Sequence, residues 1–363
     1  SMGIVTQYFP DNKRAEALAM ISMFISVGSI SGPGIGGFII SVSSWRWIYW
    51  INIPLGILVL WLGFKFLPIP KESWAHIKEV TKGANWTGQN LFTIGIILFF
   101  LSGSFFQSGR DHLLMGLAFF IVGGAITVYS FIQDDKSNLP WIAPEVLRNK
   151  GFMTSIFALS LVMLVNAISN ILLPFYLQSY NGMSPFASGL VIMLQSVMML
   201  ITTPFAGVLA DKINRELMTV IGLAILMFSQ VGYAFFPDHL DMMKIIPPIV
   251  LNGMGIAIFL SPNNALTMGM VDKKLSGIAG SFNSFARTLG MTIGISFASS
   301  ALFFQLPGVT RITPAVGDKF VQAFYNVFWI ATAISGLALA VVLIRYLKSR
   351  KEPVKKDSAK ESA

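Results

Sequence analysis

The stretch of sequence that decides the fold class is GSISGPGIGG at residues 28–37, which is followed by SSWRWIYWINIPLG at residues 43–56. Glycine recurs every fourth residue in the first stretch, which leaves one helix face bare and lets a neighbouring helix approach closely. Pro33 removes a backbone donor and is expected to kink the helix at that point. The packing glycines of this segment are Gly28, Gly32, Gly36 and Gly37. Both stretches lie in long apolar runs, so we interpret them as transmembrane helices.

The composition agrees with a helical membrane protein. Of the 363 residues, 54% are hydrophobic and only 12% are charged, whereas soluble proteins carry about 25% charged residues. The apolar runs do not alternate as barrel strands do, and helices satisfy their own backbone in lipid. We predict ten spans, at Ala15–Val42, Trp45–Leu67, Gln89–Ser108, Leu113–Gln133, Phe152–Leu177, Phe186–Ala210, Leu217–Phe236, Ile245–Met270, Gly277–Phe304 and Val321–Leu347. Residues 1–10 resemble the end of a further span.

The positive charges predict the orientation of these spans. Twenty of the 26 Lys and Arg residues fall in every second connection and in the tail, and five fall in the other connections. Because cytoplasmic loops carry the excess of Lys and Arg, we expect a cytoplasmic C-terminus. The net charge of +9 is therefore mostly a topology signal, and nucleic-acid binding is not expected. The basic tail, residues 348–363, is a solvated flank or a contact for anionic lipid.

Two further patterns stand out along the chain. Residues 207–215 read GVLADKINR, in which we expect Asp211 to cap the next helix and to pair with Arg215 across a tight turn. The residues of this loop motif are Gly207, Asp211, Lys212 and Arg215. An ordinary basic loop with a helix cap is the alternative interpretation. A weak internal repeat also places Gly290, Gly294 and Ala298 at a constant offset from the glycines of the first span.

Polar side chains inside the spans are the candidates for a substrate cavity. Arg287 is the one charge well inside a span, where it is either a binding or gating cation or a structural arginine. Asn166 and Asn170 share a helix face at i, i+4 spacing, and such amides either line a cavity or join helices. The candidate cavity residues are Asn166, Asn170, Phe175, Tyr176, Gln195, Asn252, Asn263 and Arg287. With these aromatic side chains, we expect a cavity suited to lipophilic cations.

The quoted motifs carry a resemblance to a known family. SGPGIGG with SSWRWIYWINIPLG resembles the antiporter signature and the following span of the major facilitator superfamily, and the closer likeness is to the fourteen-span drug:proton antiporters of the EmrB/QacA type. The resemblance implies a six-plus-two-plus-six arrangement, of which the ten spans would be the fifth to fourteenth. Residues 1–67 would then end the N-terminal bundle, 68–151 would form cytoplasmic loops and a two-helix linker, and 152–347 would form the complete C-terminal bundle.

The function that the resemblance implies is multidrug efflux. We expect proton-coupled antiport of lipophilic or cationic compounds by alternating access in a bacterial cytoplasmic membrane. A facilitator for another solute, such as a metabolite or a lipid precursor, and a non-transporting truncated product remain open. No enzyme is indicated, because no span carries a nucleophile with a general base. Neither a metal nor a cofactor is expected, and accessory efflux subunits stay unknown.

The family also implies an intramembrane acid in the first span of the N-terminal bundle. All 17 Asp and Glu residues here lie in loops, near span ends or in the tail. We therefore expect the coupling carboxylate to precede Ser1 and the chain alone to be incapable of coupled transport. Proton-driven efflux from vesicles that contain only these residues would contradict that expectation.

Overall fold

The computed structural model describes residues 28, 32, 34–66, 85–107, 112–137, 144–272, 275–307, 309 and 312–351. Within these residues the chain is helical and forms no strand. The helices are α1 (Arg46–Trp50), α2 (Asn52–Phe66), α3 (Trp86–Gln107), α4 (Leu113–Asp135), α5 (Pro144–Arg148), α6 (Lys150–Pro174), α7 (Pro185–Lys212), α8 (Arg215–Tyr233), α9 (Met242–Gly269), α10 (Ser276–Phe304) and α11 (Asp318–Lys351). Residues 34–42 are also helical, and a π-helical segment at Phe175–Tyr180 follows α6.

Eight helical segments of the described residues are long and apolar enough to cross a membrane. From Trp45–Leu67 onward, each predicted span coincides with one helix or with two consecutive helical segments, to within a few residues at either end. Helix α10 is not among these eight. Its 29 residues are long enough to cross a membrane, but its composition is less apolar. Its many Ser, Thr and Gly residues lower its hydropathy. Residues 1–10 lie outside the described residues, and so does most of the first predicted span, Ala15–Val42.

Glycines set the closest helix contacts in the bundle that α6 to α11 form. A Cβ atom on Gly222 of α8 would lie 2.9 Å from the carbonyl oxygen of Gly255 on α9, and one on Gly255 would lie 2.7 Å from the backbone nitrogen of Leu226. On α10, a Cβ atom at Gly290 would overlap the carbonyl oxygen of Ser160 on α6. Small residues thus allow backbone to touch backbone, which is how membrane helices associate without a hydrophobic driving force.

Helices α3 and α4 form a hairpin of their own. A Cβ atom on Gly95 would lie 2.7 Å from the backbone nitrogen of Thr127, so the two helices cross at glycine again. At the open end of the hairpin, the amide of Asn85 donates to the carboxylate of Asp134 over 2.9 Å. The hairpin rests on α10, where the rings of Phe92 and Phe285 lie 5.4 Å apart. This pair of helices is therefore packed against the larger bundle rather than separate from it.

Candidate functional site

A cavity of about 670 Å³ lies between helical residues 34–42 and the helices α6, α7, α9 and α10. Its apolar wall includes three methionines, Met163, Met199 and Met291. Its polar lining consists of Asn166, Asn170, Gln178, Gln195, Ser196 and Arg287. Four of the candidates that the sequence suggested, Asn166, Asn170, Gln195 and Arg287, therefore meet in one cavity although they come from three helices.

The amides of this cavity form a connected group. The Oδ1 atom of Asn166 accepts a hydrogen bond from Nε2 of Gln195 over 2.7 Å and another from Nδ2 of Asn170 over 3.3 Å. The spacing of four residues brings the two asparagines onto the same face of α6. Gln195 is only 7% exposed, and among the described residues its Oε1 atom has no hydrogen-bond partner. A buried acceptor without a donor costs about 1–3 kcal/mol, so this oxygen is an unsatisfied polar group in the wall of the cavity.

Arg287 brings the single charge among the described residues that line the cavity. It lies between two points at which α10 is fixed to α6. The hydroxyl of Ser160 donates to the carbonyl oxygen of Ala286 over 3.2 Å, and Gly290 allows backbone contact one turn later. Within the described residues, no ion pair or hydrogen bond of the guanidinium is seen. An arginine at this depth is costly unless it faces water or protein, and the cavity supplies that polar surface.

The helix that carries the glycine motif meets α7 at the edge of the cavity. A Cβ atom on Gly37 would lie 2.6 Å from the carbonyl oxygen of Pro185, and one on Gly34 would lie 3.3 Å from Sδ of Met193. Of the predicted packing glycines, Gly37 thus lies in close contact with α7, whereas Gly34 was not among those predicted. At Gly28, Gly32 and Gly36 nothing lies within 4 Å of such a Cβ atom among the described residues. Pro33, which was predicted to kink this helix, lies outside the described residues.

Two of the predicted cavity residues, Phe175 and Tyr176, are not among the residues that line this cavity and make aromatic contacts at the end of α6 instead. The Tyr176 side chain is 1% exposed, and its hydroxyl donates to the carbonyl oxygen of Pro237 over 2.5 Å. Phe175 packs edge-on against Phe303 with ring centroids 6.1 Å apart. The π-helical segment that begins at Phe175 turns these rings between helices, where burial of aromatic surface stabilises the bundle.

Asn252 and Asn263 are likewise not among the residues that line this cavity, and both join helices instead. Each is fully buried. Asn252 donates to the hydroxyl of Ser169 over 3.4 Å, and Asn263 donates to the carbonyl oxygen of Ser155 over 3.3 Å. They are the interhelical contacts that the alternative interpretation expected.

Sequence reasoning missed Gln178 and Ser196, which also line the cavity. A signal for Gln178 was present, since Asn166, Asn170 and Gln178 follow one another at multiples of four residues. Pro174 occupies the remaining position of that stripe and lines the cavity as well. Extending the helical face of Asn166 and Asn170 by two further turns would have found Gln178.

The loop motif differs from its prediction in how the next helix begins. Asn214, not Asp211, is the N-cap of α8, and its Oδ1 accepts from the backbone nitrogens of Glu216 and Leu217 over 2.7 and 3.1 Å. The φ of Asn214 is −173°, so it is extended rather than left-handed. The side chain of Asp211 lies outside the described residues. Gly207 lies near Ser261, Lys212 and Arg215 are exposed, and the predicted Asp211–Arg215 pair stays a prediction.

Glu216, the residue after Arg215 of the loop motif, takes part in a polar network. Nε of Arg345 on α11 lies 3.8 Å from its Oε1, and Ser349 donates to its carboxylate. Arg345 also donates to the hydroxyls of Ser155 over 2.5 Å and of Thr219 over 3.4 Å. The arginine and glutamate side chains are 10% and 16% exposed. This network joins α6, α8 and α11 at one end of the bundle.

The described part of the chain contains no group of three or more His, Cys, Asp or Glu side chains that could hold a metal ion. His112 and His239 lie at or near helix ends, and His76 lies outside the described residues. Apolar helices around a central polar cavity are the architecture of a multi-pass membrane transporter.

The comparisons with known proteins identify the family. The chain belongs to the Major Facilitator Superfamily, which it matches over residues 1–295. Two solved structures share its fold. An auto-inhibited peptide transporter of the POT family has a TM-score of 0.58 at 15% identity, covering 96% of this chain and 73% of its own. A bacterial homologue of the human lysosomal transporter Spinster, inward-facing and occupied, has a TM-score of 0.53 at 14% identity, covering 97% and 73%.

The proteins that are similar in sequence are named for several kinds of transport. The riboflavin transporter RibZ of Clostridioides difficile is 29% identical over 95% of this chain and 73% of its own length. Multidrug resistance protein Stp of Mycobacterium tuberculosis is 26% identical over 89% of this chain. Multidrug export protein EmrB of Haemophilus influenzae is 23% identical over 90% of this chain. The chain spans 60% of the length of Stp and 64% of the length of EmrB.

Proposed function

We propose that this chain forms the larger part of an efflux transporter of the EmrB/QacA type. It would move amphipathic drug-like compounds outward by alternating access, in exchange for protons. The cavity carries the proposal, because it lies where helical residues 34–42 meet α6, α7, α9 and α10. Under the six-plus-two-plus-six division, those helices belong to two different bundles, and rocking of bundles about such a site is how these transporters work. The multidrug names of relatives such as Stp and EmrB support the same proposal.

The proposed division follows the expected boundaries. Residues 1–67 would end the first bundle, 68–151 would link the two, and 152–347 would form the second bundle. The tail, 348–363, would lie in the cytoplasm of a bacterial cell, since the ends of alternate helices carry most Lys and Arg residues. No Asp or Glu is among the described residues that line the cavity. The carboxylate that exchanges the proton therefore has to come from outside that lining.

Dye efflux tests the proposed function. Cells that express the full-length transporter are loaded with an uncharged lipophilic fluorescent dye, and its loss is followed after energy is restored. We expect efflux that stops when an uncoupler collapses the proton gradient, as it should for proton-driven exchange. Efflux that continues undiminished with the uncoupler present, or that equals the rate in cells without the transporter, would contradict the proposal.

Transport of another solute is the second candidate, and the similarity to RibZ over 95% of this chain favours it. Competition separates the two candidates in the same cells. If the cavity serves a flavin-like metabolite, added riboflavin should slow dye efflux or replace it as the transported solute. If riboflavin leaves dye efflux unchanged and does not itself accumulate or leave, the multidrug proposal is favoured.

Alternating access predicts a specific effect at Gly37. In Gly37→Ala the added Cβ atom would lie 2.6 Å from the carbonyl oxygen of Pro185, so the helix that carries Gly37 must move away from α7. Because the two bundles must repeatedly form and break this contact, we expect dye efflux to fall about 10-fold. The matched control is Gly32→Ala, whose Cβ atom meets no described residue within 4 Å. Equal efflux by the two variants would show that the contact is not used in transport.

A further inference from the structure

The polar groups of the cavity are arranged for one kind of ligand. Arg287 is the single ionisable side chain among the described residues that line it. Among the described residues its guanidinium has no counter-ion. A guanidinium carries several donors in a planar fork and cannot lose its charge in a protein, so it demands an anionic or strongly accepting partner. The cavity thus supplies a fixed positive charge that nothing described neutralises.

Gln195 supplies a second fixed group, an acceptor. Its Nε2 atom is committed to Asn166 over 2.7 Å, which aims the other end of the amide, Oε1, away from that bond. Oε1 is buried, and no described residue donates to it. The backbone of Gln195 packs directly on α9, since a Cβ atom on Gly253 would overlap its carbonyl oxygen. An unsatisfied acceptor in the wall of the cavity favours a ligand that brings an N–H or O–H donor to it.

The rest of the lining is apolar and adaptable. Three methionines, Met163, Met199 and Met291, contribute flexible thioethers, and Ile192 and Ile256 add further apolar surface. Methionine side chains repack around ligands of different shape, which suits a hydrophobic body without fixing its outline. A lipophilic cation would place its charge in the same cavity as Arg287, where like charges repel in a medium of low dielectric.

We propose that the cavity selects amphipathic organic anions. An acidic group would pair with Arg287, a hydrogen-bond donor would reach Oε1 of Gln195, and a hydrophobic body would lie against the methionines. This inference rests on the proposed function, in which the cavity is the substrate site, and it replaces the expected preference for lipophilic cations. A small inorganic anion shares the chemistry of the acidic group but lacks the body.

Equilibrium binding to the full-length transporter in lipid nanodiscs tests the proposal. Three probes share one dansylamido-undecanoyl skeleton, namely the free carboxylic acid, its methyl ester and an analogue that ends in trimethylammonium. All three keep the sulfonamide N–H donor. We expect the acid to bind about 10-fold tighter than the ester, which is the contribution of one charge-assisted contact, and the ammonium analogue to bind more weakly than the ester. Acetate should not displace the acid at equal concentration.

Variants assign the effect to its residues. Arg287→Gln should bind acid and ester equally, whereas Arg287→Lys should retain a preference for the acid. Gln195→Met should weaken acid and ester alike, because both lose the acceptor for their N–H group. The same Arg→Gln exchange at the exposed Arg148, which does not line the cavity, should change nothing.

Two outcomes would overturn the proposal: an ammonium analogue that binds as tightly as the acid, or a folded Arg287→Gln variant that still prefers the acid. If Arg287→Gln does not fold, the proposal is tested by binding of the three probes to the unaltered protein and to Arg287→Lys. Binding needs no proton gradient, so a failure of the anion proposal can be distinguished from a failure of the proposed efflux function. Uncoupler-sensitive dye efflux without acid preference overturns only the anion proposal, and acid preference without such efflux overturns only the proposed efflux function.

Discussion

Replacing Gly290 by alanine is expected to lower the melting midpoint of the purified protein by about 10 °C. The added Cβ atom would overlap the carbonyl oxygen of Ser160 and lie 3.1 Å from Cβ of Met163. Neither obstacle is the far end of a flexible side chain, so α10 must separate from α6 along this face. Overpacking of this kind costs about 1–3 kcal/mol, and a clash with backbone lies at the upper end.

The control for this prediction stands on the same helix. In Gly280→Ala the new Cβ atom would be 3.9 Å from Cε of Met268, an ordinary contact. Alanine favours a helix over glycine by about 1 kcal/mol, so this variant should be as stable as the unaltered protein or more so. Thermal scans in one detergent, with size-exclusion profiles, compare the two variants. Similar midpoints for both would mean that α10 does not pack on α6 through Gly290.

The glycine repeat shows what the sequence could and could not predict. The offset that relates Gly28 and Gly32 to Gly290 and Gly294 indicates small packing faces in two spans. In the structure, Gly290 and Gly294 do contact α6, whereas nothing lies within 4 Å of a Cβ atom at Gly28 or Gly32 among the described residues. Periodicity identifies a bare helix face, but the helix that covers it comes from a distant part of the chain and leaves no local signal.

For a similar reason, only some of the residues that line the cavity could be predicted from the sequence. Arg287 was found because a charge inside an apolar run is rare and costly, whatever the neighbouring helices are. Asn252 carries the same kind of amide as Asn166, yet one joins helices and the other lines the cavity. Residue type alone cannot separate these roles, since they depend on which face of each helix turns inward. Helix extents were predicted to within a few residues because apolar length alone determines them.

Glu216 and Arg345 were also not connected by sequence reasoning, since they lie on different helices that are distant in the chain. Their side chains are 16% and 10% exposed, so the pair is largely removed from water. Glu216 lies in the first turn of α8, where the helix dipole favours a negative charge, and Arg345 reaches it from α11. Pairs of this kind are costly to break from one side, because the remaining charge stays buried without a partner.

Arg345→Met is therefore expected to destabilise the protein by about 3 kcal/mol, since it leaves Glu216 without its cation and Ser155 without its donor. The matched control is Arg148→Met, which removes an arginine 3.1 Å from Asp135 in a pair whose side chains are 75% and 45% exposed. Exposed pairs contribute about 0–1 kcal/mol, so this control should unfold almost as the unaltered protein does. Unfolding in mixed micelles with increasing denaturing detergent compares them.

The double variant Glu216→Gln with Arg345→Met tests whether charge is the cause. If the loss comes from an unpaired carboxylate, neutralising Glu216 should restore about half of the lost stability, because no buried charge then remains. If the loss comes from the missing bulk of the arginine stem, the double variant should be no more stable than Arg345→Met alone. Recovery would identify the Glu216–Arg345 pair as the contact that holds α8 to α11, whereas equal losses in Arg345→Met and Arg148→Met would contradict its burial.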